Sequence, residues 1–259
     1  MIDLHSHVLP GLDHGAQKMD DALEMCRVAQ ADGIHTLVAS PHCRNGAYHN
    51  DQTKILAALE SLKEALLRER ISLKLLPGVE ILIDPELVDF FNQNPRLLLG
   101  GRYVLLELPN QSIPPHTQDF LFKMQLKGYF PIITHPERNS MIQNSPEILK
   151  ELVRVGALVQ VTAMSLTGEF GRQARESASQ LIKSGLVHFI ATDAHSPYRW
   201  PPILSKGRKI LEEILGPEHA LMMVEEIPEK ILRGEPVEGR PMMESSPSRS
   251  SFFRRLFMR

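Results

Sequence analysis

The sequence predicts an α/β protein in which repeated strand–helix units close, or nearly close, into a single parallel barrel. Three observations predict it. Seven strand-length apolar runs alternate with helical patterns along the chain. The length of 259 residues suits one α/β barrel of roughly 250 residues better than two domains. No Pro/Gly-rich linker or internal repeat interrupts the pattern before about residue 235. With 42% hydrophobic and 23% charged residues, disordered and fibrous classes are excluded. An open doubly wound sheet is the alternative architecture, but neither a G-x-G-x-x-G nor a P-loop is present to support nucleotide binding in that style.

The elements follow in order. Residues 1–5 form the first strand. A helix over 20–32 carries Ala22, Met25, Cys26 and Ala29 on one face and stops at Gly33. Strand two spans 34–40, a charged amphipathic helix 54–70, strand three 73–80 and strand four 103–107. A helix over 118–127 precedes strand five at 130–134; strands six and seven lie at 158–162 and 187–192. Further helices are expected at 146–155, 173–184, 202–215 and 217–225. Domain organisation is therefore a barrel over 1–235 and a flexible tail over 236–259.

In a parallel barrel the chemistry sits at the C-terminal ends of the strands. Here those ends read His5 and His7, then His42, Glu80, Glu107, His135, and finally Asp193 with His195. Only strand six, with Gln160 and Thr162, lacks a good metal ligand. A single His near a strand end is more often structural, but convergence of eight such side chains on one mouth is not explained that way. His5 and His7, two apart on a strand, share a face. Imidazole with carboxylate suits zinc, manganese or iron rather than a thiolate site. The donor count, with Asp13 or His14 in addition, is enough for two or three ions, an apparatus common in phosphate ester cleavage. Arg138 and Arg199, three and four residues beyond His135 and His195, are the candidate catalytic arginines, because a guanidinium fork binds two phosphate oxygens at once.

Other classes are disfavoured. The net charge of -2 gives no field for nucleic acid. The longest apolar runs, at 55–59 and 220–224, fall far short of the roughly 20 residues a membrane span needs. With two cysteines and no signal-peptide pattern, a cytoplasmic location is expected. A thiol phosphatase needs C-x5-R, but Asp32 follows Cys26 at that spacing and His49 follows Cys43. Residues 245–259 carry four arginines, no acid and an apolar cluster including Phe252 and Phe253. That segment reads either as a frayed end or as a basic-aromatic anchor for peripheral contact at the inner membrane.

The stretches MIDLHSHVLPGLDHGA, ASPHCRNG, LPGVEI, LLELP, LKGYFPIITHPERN and ATDAH resemble, in order and spacing, the PHP (polymerase and histidinol phosphatase) superfamily. Within it the chain is similar to the manganese-dependent protein-tyrosine phosphatases of bacterial capsule and exopolysaccharide operons. The resemblance implies a distorted TIM-like (β/α)7 barrel of the PHP type with a three-metal site. Matched residue by residue, His5, His7, His42, Glu80, Glu107, His135, Asp193 and His195 are the ligands, Glu80 bridging, and Arg138 and Arg199 hold the phosphoryl group. Where such relatives have Asp-Asp-Gly, this chain has Asp13-His14-Gly15, so His14 stands at a ligand position. Mn2+ is the implied cofactor, with Fe, Zn, Co or Mg as alternatives. The implied partner is the phosphorylated tyrosine cluster of a bacterial tyrosine kinase controlling polysaccharide export; nucleic acid is not a partner, and a homo-oligomer is compatible with the sequence. A histidinol-phosphate phosphatase is the rival enzyme. A nuclease-like phosphodiesterase and a non-catalytic metal-binding scaffold are weaker alternatives.

Overall fold

The computed structural model describes residues 1–43 and 46–237. Among the described residues nine strands are present: β1 (Ile2–Ser6), β2 (Thr36–Ala39), β3 (His42–Cys43), β4 (Lys74–Pro77), β5 (Glu80–Leu82), β6 (Tyr103–Glu107), β7 (Phe130–Thr134), β8 (Leu158–Thr162) and β9 (Phe189–Ala191). Every pairing is parallel. One sheet runs β1-β2-β4 and the other β3-β5-β6-β7-β8-β9. The excess over seven is two strands broken in the middle. The second predicted run, 34–40, holds β2, and β3 adds a short strand beyond Pro41; the third divides into β4 and β5 after Pro77. Proline cannot donate to a ladder. At Gly78 a Cβ would lie 2.6 Å from Val38 Cγ1, so the close approach of the two broken strands requires glycine. The ring is completed where β1 meets the segment after β9: Asp193 N donates to His5 O at 2.9 Å and His7 N to Ala194 O at 2.8 Å. Seven strand tracks thus form a distorted barrel.

Helices cover the outside: α1 (Met19–Ala31), α2 (Gln52–Arg68), α3 (Leu87–Gln93), α4 (Thr117–Leu126), α5 (Ser140–Asn144), α6 (Glu147–Arg154), α7 (Ala163–Thr167), α8 (Gly171–Lys183), α9 (Ser205–Leu215), α10 (Pro217–Leu221) and α11 (Ile227–Leu232). The long ones match the periodic segments of the sequence. The predicted helix at 217–225 is instead α10 followed by a π turn over Met222–Glu226 and then α11. The short helices α3, α5 and α7 were not anticipated, because five to seven residues carry too little periodicity. Asp51 caps α2 by accepting from Lys54 N at 2.9 Å, and Asn139 caps α5 through Met141 N and Ile142 N.

Two apolar layers result. The larger packs the helices against the outward faces of the strands. The smaller fills the barrel interior with Ile2, Leu4, Leu105, Ile132, Leu158 and Phe189, closed from below by Ile227 and Ile231 at α11. No helix among the described residues is long and apolar enough to cross a membrane. The tail expected over 236–259 lies, from residue 238 onward, outside the described residues.

Candidate metal centre

The mouth of the barrel is built by a change of face along β1. Between Asp3 and Ser6 the pairing with β2 slips, so that three steps on β1 oppose two from Leu37 to Ala39. This bulge lets Leu4 belong to the apolar interior while His5 also turns inward, to Gln160 and Glu80. His7 follows on the same side.

Glu80, at the start of β5 and 1% exposed, is the centre. Its Oε2 lies 3.2 Å from His5 Nε2, 3.4 Å from His7 Nε2 and 3.3 Å from His42 Nδ1. Its Oε1 accepts from Thr134 Oγ1 at 2.7 Å and lies 2.9 Å from His135 Nε2. Three groups of donor atoms form around it: His5, His7, Glu80 and Asp193; His42, Glu80 and Glu107; and His7, His42 and His195. They share members, so they form one continuous cluster. His42 Nδ1, Asp193 Oδ1 and His195 Nε2 are buried and make no hydrogen bond. Buried polar atoms left this way are costly, and a hard or borderline divalent ion satisfies such a donor set. The residues present therefore fit a multinuclear metal centre.

The outward nitrogens of these imidazoles are held. His5 Nδ1 meets Gln160 Oε1 at 2.9 Å, His7 Nδ1 meets Asp13 Oδ2 at 2.7 Å, and His195 Nδ1 donates to Asp193 O at 2.7 Å. Such bonds fix tautomer and ring orientation, leaving the other nitrogen for an ion. Asp13 is fully engaged: it also accepts from His42 N at 2.8 Å and Gly15 N at 2.9 Å. It holds His7 and His42 from behind. A Cβ at Gly15 would lie 2.1 Å from His7 O, so the loop over 13–15 can press on His7 only with glycine there. His135 and Asp193 sit at φ of 36° and 52°, left-handed backbone that costs about 1–3 kcal/mol and is characteristic of functional sites.

The charges are strongly coupled. Burial disfavours the His5 cation, but Glu80 and Asp193 outweigh it and raise its pKa to about 9. Burial likewise disfavours the His7 cation, but Asp13 outweighs it and raises the His7 pKa well above its ordinary value. Glu107 is pushed up to about 7 by burial and by Glu80, while burial drives His42 down to about 4. Asp193 is held well below the carboxylate range against its burial by His5 and Arg138. An ion held by these groups would displace the protons they carry.

The sequence-predicted residues divide as follows. His5, His7, His42, Glu80, Glu107, His135, Asp193 and His195 come together in the mouth. Arg138 joins them, its Nη2 donating to Asp193 Oδ2 at 2.6 Å. His14 lies on the rim, its ring 4.4 Å from His195 and 4.9 Å from His42 by centroid, outside the tight donor groups. Arg199 does not line the mouth. The chain folds back between Ser196 and Trp200, which leaves Arg199 exposed in an adjoining groove with Tyr198 and Lys206 and returns Trp200 to the mouth. Gln160 enters the sequence reading only as a poor metal ligand, and Trp200 and the lining residues Asn110, Gln111 and Ser140 have no role in it. Gln160 occupies the polar end of the one strand without a ligand, and Trp200 is the only tryptophan; both were available as signals. The cavity above the cluster measures about 610 Å³.

A parallel α/β barrel with a multinuclear histidine–carboxylate mouth defines the class as a metal-dependent hydrolase-type barrel. Solved structures share the fold. A histidinol phosphate phosphatase from Lactococcus lactis, complexed with zinc, L-histidinol and phosphate, shares the fold at a TM-score of 0.56 and 14% identity, covering 83% of this chain and 93% of that one. Residues 1–233 match the family model for capsular polysaccharide synthesis, CpsB/CapC, and the chain belongs to that family. The tyrosine-protein phosphatase YwqE of Bacillus subtilis is 37% identical over 242 residues, 93% of this chain and 95% of the relative. A putative tyrosine-protein phosphatase CapC from Staphylococcus aureus is 37% identical, covering 80% of this chain and 81% of its own. A solved structure from work on YwqE and Streptococcus pneumoniae CpsB, described as unique metal-dependent tyrosine phosphatases, superimposes at a TM-score of 0.89 with 37% identity, covering 93% and 98% of the two chains.

Proposed function

We infer that the chain is a metal-dependent tyrosine-protein phosphatase of capsule or exopolysaccharide synthesis. The observation that carries this reading is Glu80 shared by two overlapping donor groups, with His42 Nδ1, His195 Nε2 and Asp193 Oδ1 lacking hydrogen bonds beside it. Similarity to YwqE and CapC supplies the substrate class. His5, His7, His42, Glu80, Glu107, His135, Asp193 and His195 hold two or three ions, manganese above iron, zinc, cobalt or magnesium. Bound divalent ions supply Lewis acidity, lowering the pKa of water toward about 7 and drawing charge from phosphoryl oxygens.

The chain's own residues do the rest. Gln160, Asp13 and the Asp193 carbonyl aim the imidazoles. Arg138, anchored by one nitrogen on Asp193, presents its remaining donors to the equatorial phosphoryl oxygens, where charge gathers in the transition state. Tyrosine leaves as a phenolate with a pKa near roughly 10, so it needs less protonation than a serine alkoxide. His14, on the rim, adds an imidazole to the His7, His42 and His195 group and tilts it toward imidazole-preferring metals. In His14→Asp that preference disappears; unchanged metal content and preference in the variant rule the role out. Arg199, outside the mouth, is placed for the peptide rather than the phosphoryl group. The substrate is the tyrosine cluster of a polysaccharide-controlling kinase, met in the cytoplasm or at the inner membrane.

The test is phosphate release from a phosphotyrosyl peptide and from histidinol phosphate side by side, with manganese and with chelator. Manganese-dependent release favouring the peptide is the expected result. Preference for histidinol phosphate would transfer the chain to small-molecule metabolism with the same site.

A further inference from the structure

The cavity above the cluster is lined almost entirely by polar groups among the described residues. Of the described side chains lining the cavity, Trp200 alone offers an apolar aromatic surface; the others are charged, amide, hydroxyl or imidazole groups committed to the cluster or its rim. Its indole lies 4.2 Å from the His195 ring by centroid, tilted 31°. Phe170 meets it edge-on at 4.6 Å, and the Arg138 guanidinium carbon stands 5.1 Å from the Phe170 ring and 5.3 Å from the Trp200 ring. The indole N–H is spent on Thr192 O at 3.3 Å, so the ring is fixed and has no donor left for a polar ligand. Trp200 is only half-buried, which leaves part of it on the cavity.

We propose that Trp200, buttressed by Phe170, is the wall against which the phenyl ring of an aryl phosphate packs, and that it determines preference for aryl over alkyl phosphate esters. The proposal rests on the phosphatase reading and names what that site recognises. His195 belongs to the donor cluster, and the indole stacks beside it. A ring joined through one ester oxygen to a phosphoryl group held by Arg138 and the cluster therefore begins next to the indole. An alkyl ester places no flat surface there and gains little. Aromatic pairs in offset or edge-on geometry exceed their simple area burial in strength, and a partly dry wall beside polar groups orients as well as binds.

Trp200 also supports its own loop, since His195 N and Ser196 N donate to Trp200 O. Those bonds are backbone and survive substitution. The experiment uses the metal-loaded full chain. Because Trp200 is the only tryptophan, its fluorescence reports directly on the wall. Saturable quenching or spectral shift with benzylphosphonate, but not with methylphosphonate at concentrations that inhibit equally, is the expected result. By calorimetry, W200A loses affinity for benzylphosphonate roughly tenfold more than for methylphosphonate, and W200F restores most of the difference. Equal loss for both ligands in W200A, or no fluorescence response to benzylphosphonate, would overturn the proposal and leave Trp200 as packing behind His195. The two failures are separable. If the wild-type chain releases no phosphate from a phosphotyrosyl peptide, the phosphatase reading falls; if it does, while W200A shows no aryl-specific loss, only the wall falls.

Discussion

On β1, Ile2 and Leu4 pack among Leu105, Ile132 and Phe189 at the lower end of the barrel, and one bulge later His5 and His7 face Glu80 and Asp193 at the upper end. The lower interior satisfies itself: apolar groups are removed from water and α11 closes the opening. Its polar neighbours at the rim are partnered too, Glu225 meeting Met1 N at 3.1 Å and His35 Nε2 at 2.6 Å. The upper end buries carboxylates and imidazoles together, adds left-handed backbone at His135 and Asp193, and leaves His42 Nδ1, Asp193 Oδ1 and His195 Nε2 of the cluster without hydrogen bonds. One end carries stability and the other carries chemistry at a cost in stability that bound ions offset.

The largest effect comes from breaking the upper end at its junction. Glu80→Gln should lower turnover by about a thousandfold, several kcal/mol of transition-state stabilisation, and reduce the metal bound per purified chain. Unchanged turnover and stoichiometry would remove Glu80 from the centre. Breaking the lower end should do the opposite. Phe189→Ala should cost about 3–5 kcal/mol in denaturant unfolding through the cavity it leaves. Metal content of the still-folded fraction should stay constant; a parallel fall in both would show the two ends to be energetically inseparable.

Asp13→Asn sharpens the boundary between holding an ion and holding its ligand. Loss of the carboxylate behind His7 should weaken metal affinity about 10–100-fold in chelator competition. Ligand stoichiometry at saturating metal should not change, and a variant that loses a whole ion would make Asp13 a ligand. The smallest effect is at the lower rim. Burial alone would raise the Glu225 pKa, but His35 and the α-amino group of Met1 lower it below 4.5. A carboxyl depressed in the folded state contributes stability that is present above its unfolded pKa and lost as pH falls through its folded one. The group is 32% exposed, so Glu225→Gln should cost under about 1 kcal/mol at pH 7. The difference from the parent chain should vanish in strongly acidic melts; a difference that grows on acidification would reverse the sign.

How much was legible beforehand depends on how local the cause is. Strand and long-helix positions rest on periodicity within ten to fifteen residues, and the eight strand-end donors could be read because a parallel barrel places strand ends together. Arg138 and Arg199 show the limit. Both follow a mouth histidine by three or four residues, yet one pairs with Asp193 and the other is turned outward by the fold-back from Ser196 to Trp200. Spacing alone holds no information about that direction. Likewise the bulge in β1 depends on register with β2, which is a property of two segments thirty residues apart.

The amino-acid sequence by itself determined which residue types stand at the strand ends and the parallel α/β alternation, because propensity, backbone sterics and ligand chemistry are written residue by residue. Tertiary structure alone decided that Glu80 joins two donor groups, that Asp13 stands behind His7 and His42, that Gln160 orients His5, and that Trp200 rather than Arg199 faces the cavity. Each of these is a distance between segments far apart in the chain, fixed only when closure of the barrel brings β1 against β9 and the strand ends to a common mouth.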